Sequence, residues 1–75
     1  MTKKEILRSI VAHFPRTRGK VEKTALGKGV IQIRTDHGKA NRIGQFAMTN
    51  WPKQIETYFA CHIFKQAHLA IYFKR

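Results

Sequence analysis

WPKQIETYFACHIFKQAHLAIYFKR, residues Trp51 to Arg75, is the stretch whose reading decides the fold. After Pro52 it contains no proline, glycine or asparagine, so nothing in it announces a turn. Projected at 100° per residue, Ile55, Phe59, Ala60, Ile63, Phe64, Ala67, Ala70 and Ile71 gather on one broad face. Gln54, Thr57, Tyr58, Cys61, Lys65 and His68 fall opposite. Thr49 and Asn50 supply a cap, and Pro52 suits a first helical turn. The spacing predicts one helix running to about Tyr72. A rival reading applies to its end, because Leu69 to Lys74 is rich in strand formers and would serve as a closing strand.

Working back from Trp51, Arg42 to Met48 reads as a strand with Phe46 and Met48 on one face, weakened or bulged at Gly44. Asp36-His37-Gly38-Lys39 reads as a turn in which Gly38 supplies a positive φ. Val30 to Thr35 is the clearest strand, with Ile31 and Ile33 pointing one way and Gln32 and Arg34 the other. Gly27-Lys28-Gly29 is a further turn, and Val21 to Leu26 a short strand before it. At the start, Thr2-Lys3-Lys4-Glu5 fits a capping box. Ile6, Leu7, Ile10, Val11 and Phe14 follow at three- and four-residue spacing, and Pro15 disfavours helical geometry at Phe14. A helix from about 3 to 13 follows from this.

The predicted order is α-β-β-β-α, an α+β domain over residues 1–75. A small three-stranded antiparallel sheet carries the N- and C-terminal helices on its apolar face. Double-stranded-RNA-binding domains share that order. The Lys-Lys-x-Ala-Lys-like opening of their last helix is absent here, where Pro52-Lys53-Gln54 stands, so no family is assigned. No internal repeat or low-complexity tract is evident.

Charge is the most informative total. Fifteen Lys and Arg face four Asp and Glu, a net charge of +11 on 75 residues. A chain of this size buries only about 60% of its unfolded surface, so its core is lean. The excess charge adds self-repulsion and favours a polyanionic partner. Eight cations crowd the middle of the chain: Arg16, Arg18, Lys20, Lys23, Lys28, Arg34, Lys39 and Arg42. Only Glu22 and Asp36 interrupt them. If the helices cover the other side of the sheet, these cations form one basic face suited to phosphates. The expected partner is nucleic acid, duplex rather than single strand, with Asn41, Arg42 and Gln45 as candidates to read base edges.

Tyr58, Leu69 and Tyr72 lie on the outer arc of the predicted last helix. They form a candidate contact patch for a homodimer or for an acidic protein that this chain would inhibit or adapt. A nuclease is the third reading, with His37 as base and Arg34 or Lys39 steadying a phosphate. Cys61, His62 and His68 do not converge on one ion in the helical reading, and neither metal nor cofactor is expected. Cys61 stands alone, which suits a reducing, cytoplasmic setting. The Lys3-Lys4 start leads into an amphipathic helix and not a signal peptide. Gln66 to Phe73 is too short to span a bilayer, so no membrane role is expected.

Overall fold

The structure, a computed structural model, describes residues 2–24 and 29–74. The first helix, α1 (Lys3–His13), forms where its caps dictate. The backbone N–H of Thr2 donates to Glu5 Oε1 at 2.9 Å, and the backbone N–H of Glu5 donates to Thr2 Oγ1 at 3.2 Å. Two N–H groups that the helix leaves orphaned are thereby satisfied. Ile6 and Ile10 are its buried residues. At the other end the Phe14 N–H closes on the Ile10 carbonyl, with Phe14 itself extended before Pro15.

Two strands follow, β1 (Arg18–Lys23) and β2 (Gly29–Asp36). They pair antiparallel, Arg18 opposite Arg34 and Val21 opposite Ile31. Strand β2 agrees with its sequence pattern. β1 lies earlier than the expected 21–26, and the Gly27-Lys28-Gly29 turn falls largely outside the described residues. After the turn at 37–39, where Gly38 has a φ of +88° as expected, the chain departs from the sequence reading. Ala40–Asn50 is a second helix, α2, and not a strand. Ile55–Ile63 and Gln66–Phe73 are two strands, β3 and β4, and not a helix. The fold is α+β with an antiparallel sheet and two helices, but the sheet has four strands in the order β1-β2-β4-β3 and the element order is α-β-β-α-β-β. The rival reading of Leu69 to Lys74 as a closing strand was the better one for that segment.

Each correction has a local cause. In α2 the buried positions are Ala40, Ile43, Gly44 and Ala47, a helical stripe made almost wholly of small residues. Gly44 is there because α2 lies against the ring of Tyr58; a Cβ at this position would fall well inside van der Waals contact of that ring. The ring is tethered at its far end, since Gln45 Nε2 donates to Tyr58 Oη at 2.9 Å. In the hairpin, Ile63 pairs with Gln66, so the whole turn is Phe64-Lys65. Phe64 adopts a φ of +54°, a left-handed conformation that a bulky side chain rarely takes. No glycine or asparagine marks the reversal, which is why the helical projection ran straight through it.

Both helices pack on one face. Ile6, Ile10, Ala40, Ile43 and Ala47 meet Ile31, Ile33, Ile55, Ala67, Leu69 and Ile71 in one core. Two helices do share the apolar side of the sheet, but the second is α2 and not the expected C-terminal helix, which does not form. Where the helices end, the His13 ring stacks on Phe46 at 4.5 Å, and Phe14 and Trp51 meet Phe46 edge-on at 5.3 and 5.7 Å. Thr17 and Thr35, buried beneath the β1–β2 end, share a hydroxyl hydrogen bond of 3.0 Å. Among the described residues no buried side-chain polar atom lacks a partner.

The chain also contains a structural repeat that its sequence conceals. α1 and α2 are each 11 residues long. α2 begins 37 positions after α1, and β4 begins 37 positions after β2 (3 to 40, 29 to 66). Each helix ends on an aromatic residue followed by proline, Phe14-Pro15 and Trp51-Pro52, and the aromatic N–H caps the helix in both cases. Pro52 is thus the counterpart of Pro15, a helix stop and not a start. Two helix-plus-hairpin units meet along the central β2–β4 pairing.

Three outcomes test this architecture. Leu69→Ala should lower stability by about 2–5 kcal/mol, because Leu69 is 0% exposed. Tyr72→Ala should cost much less, and urea titrations compare the two directly. Gly44→Ala should destabilise despite alanine's better helix propensity, since overpacking costs about 1–3 kcal/mol against a gain of about 1. The third outcome concerns pH. The Thr2 backbone N–H, then the Thr2 hydroxyl, hold the Glu5 carboxyl below its ordinary value of 4.5. A group with a depressed folded pKa stabilises above its unfolded value and loses that effect as pH falls through the folded one. The Glu5 contribution should be complete at neutral pH and fade below about 4.5, and Glu5→Gln should flatten that part of an acid titration followed by circular dichroism.

Candidate nucleic-acid interface

With both helices on one side, the other side of the sheet carries no covering element among the described residues. Alternation along each strand determines what it shows. From β1 to β2 to β4 to β3, one row reads Arg18, Arg34, His68, Cys61. The next reads Lys20, Gln32, Ala70, Phe59, and the third Glu22, Val30, Tyr72, Thr57, of which Val30 is itself buried. The face is divided: its cations Arg18, Lys20 and Arg34 are on β1 and β2, and its exposed aromatic rings Tyr72 and Phe59 are on β4 and β3.

The cationic half is concave. Arg18, Lys20, Glu22, Gln32, Arg34 and His68 line a depression of about 360 Å³. Lys20 Nζ lies 2.8 Å from Glu22 Oε1. Arg18 and Arg34, directly opposite each other, make no ion pair among the described residues. Like charges facing each other across a strand pair are unfavourable, so this site holds an electrostatic cost that an anion would relieve. Arg16 lies at the edge in a left-handed conformation, φ +62°, with Nε 3.3 Å from Asp36 Oδ2.

The remaining predicted cations lie elsewhere. Lys39 precedes α2, 3.5 Å from Asp36 Oδ2 and 3.2 Å from the Pro15 carbonyl it donates to. Lys23 shares the strand phase of Val21, on the helix side. Arg42 lies on the exposed surface of α2 together with Asn41 and Gln45, so the expected base-reading trio is on a helix and away from the open face. Lys28 is outside the described residues. The eight cations therefore do not form one face; Arg18, Lys20 and Arg34 do, joined at its border by Arg16.

The other predicted sites disperse as well. Leu69 is in the core, Tyr58 packs against α2, and Tyr72 is on the open face, so these three make no common contact patch. The outer arc that united them belonged to a helix that does not form. His37 meets the His62 ring at 4.4 Å between centroids. Cys61 and His68 are cross-strand partners on the open face. Among the described residues no three His, Cys, Asp or Glu side chains gather as a metal ion would require, and no helix is long and apolar enough to cross a membrane.

Sequence reasoning missed His68 as a neighbour of Arg34, and it missed the exposure of Phe59, which is 67% exposed, with Ile63 and Phe64. The available signal was strand alternation in residues 66–73, where Ala67, Leu69 and Ile71 recur every second position. No family model matches the chain, and no curated protein or solved structure matches it.

Proposed function

We propose that this is a small, non-enzymatic nucleic-acid-binding protein that holds the phosphate backbone against the open face of its sheet. The observation that carries this reading is the facing pair Arg18 and Arg34, which lack a carboxylate partner among the described residues and lie in a concave site with Lys20 and His68. Arginine forks onto phosphate oxygens with two parallel hydrogen bonds, and Lys20 adds a point charge. The overall charge of +11 draws a polyanion in, and the concave face gives it a place to rest. Its mechanism is occupancy, through coverage of a nucleic-acid segment. The alternative of an inhibitor or adaptor for an acidic protein drew on the same cations together with Tyr58, Leu69 and Tyr72, and those three share no surface.

The test is a salt series. Three phosphate contacts give a log-log slope of about −3 on duplex DNA and about −2 on a single strand. Arg34→Gln should weaken binding and make the slope shallower by about 1. Arg42→Gln, on the helix side, should change neither quantity beyond the small loss expected from net charge. Equal effects of the two substitutions, or no binding at low salt, would remove the open face from the assignment.

A further inference from the structure

Resting on the reading that the open face holds phosphate, we infer that the bound nucleic acid is a single strand whose bases stack on Phe59 and Tyr72. Phe59 is 67% exposed and Tyr72 40% exposed, both on the helix-free side of the sheet. Nothing among the described residues rewards so large an apolar ring for facing water. Tyr72 pairs with Thr57, two positions along β3 from Phe59. The two rings thus stand on a diagonal between neighbouring strands, roughly 7–8 Å apart at their bases.

The cations lie across the sheet from these rings. Lys20, Gln32, Ala70 and Phe59 form one continuous row, so a positive side chain and an aromatic ring end the same line of residues. At about 4.8 Å per strand, Phe59 is roughly 14 Å from the β1 column and 10 Å from the β2 column. A polynucleotide matches this division, because every unit joins an anionic phosphate to a flat π-surface. Phosphates along Arg18, Lys20 and Arg34 leave the bases directed over β4 and β3. In a duplex those π-surfaces are already covered by neighbouring bases and cannot reach Phe59. The open face therefore favours unpaired bases, against the duplex preference expected from sequence. Stacking is indifferent to base identity, so little sequence preference is expected.

Three fluorescently labelled probes of equal length separate the terms: oligothymidylate, the same sugar–phosphate chain without bases, and a duplex. Fluorescence anisotropy at fixed salt should show oligothymidylate bound more tightly than the base-free chain. Phe59→Leu keeps an apolar group on an exposed site and removes the π-surface. It should weaken oligothymidylate binding roughly five- to hundred-fold. Its affinity for the base-free chain and the duplex should not change, and an unchanged thermal melt shows that the fold is intact. Arg34→Gln should weaken all three probes.

Equal affinity for oligothymidylate and the base-free chain, tighter binding of the duplex, or no effect of Phe59→Leu would overturn the stacking inference while leaving phosphate binding in place. Failure of all three probes would overturn both. A dimer in sedimentation that Phe59→Leu dissociates without altering oligothymidylate binding would make this face a contact between copies and also overturn the inference. So would binding to anionic vesicles with none to oligothymidylate.

Discussion

The antiparallel pairing of β2 with β4 is the interaction on which the rest depends. Seven residue pairs, from Val30–Tyr72 to Asp36–Gln66, join the two halves of the chain at the centre of the sheet. In this register Ile31 and Ile33 stand beside Ile71 and Leu69, on the side where α1 and α2 both lie. A slip of one residue would turn the aliphatic side chains of one strand to solvent and bring polar ones under the helices. Burial on one face therefore fixes the pairing. The same alternation dictates which side chains the other face presents.

Electrostatics follows from that geometry. A lean core in a chain carrying +11 leaves little stability to spare, yet two arginines stand opposite each other on the central and edge strands. Asp36 takes up Arg16 and Lys39, and Glu22 takes up Lys20, so the two acids within the basic segment are already engaged. These pairs are exposed and contribute little to stability, and among the described residues Arg18 and Arg34 make no such pair. The charge total alone indicated a polyanion. Which cations share a face depended on strand phase: Arg18, Lys20 and Arg34 have one phase, whereas Lys23 has the opposite phase and Arg42 rides on a helix.

α1 and β2 were legible because their signals are local and redundant. A capping box, a stripe of large aliphatics and a proline stop all agree over residues 2–15, and clean alternation marks residues 30–35. α2 was hidden by the smallness of its buried side chains. Alanine and glycine at 40, 44 and 47 carry little hydrophobic signal, yet Gly44 is what allows the helix to approach Tyr58 closely. The β3–β4 hairpin was hidden for two reasons. Its turn uses Phe64 in a conformation that sequence rules reserve for glycine and asparagine, and its exposed apolar residues, Phe59, Ile63 and Phe64, fell into the predicted buried stripe. Assigning Phe59, Ile63 and Phe64 to the interior erased the feature that most distinguishes the open face. The basic segment was visible as a segment; its division between the two sides of the sheet required the pairing.

The paired helix–hairpin units have a consequence for how the chain is held together. The turn at His37-Gly38 is the covalent link between them, and what else joins them is non-covalent, chiefly the β2–β4 ladder, the shared aliphatic layer and the packing of His13 and Phe14 on Phe46. Each half ends in a strand that has one partner in its own half and the other supplied by the second half. Cleavage at that turn would yield two peptides with complementary edges, a ready-made split protein whose reassembly depends on concentration.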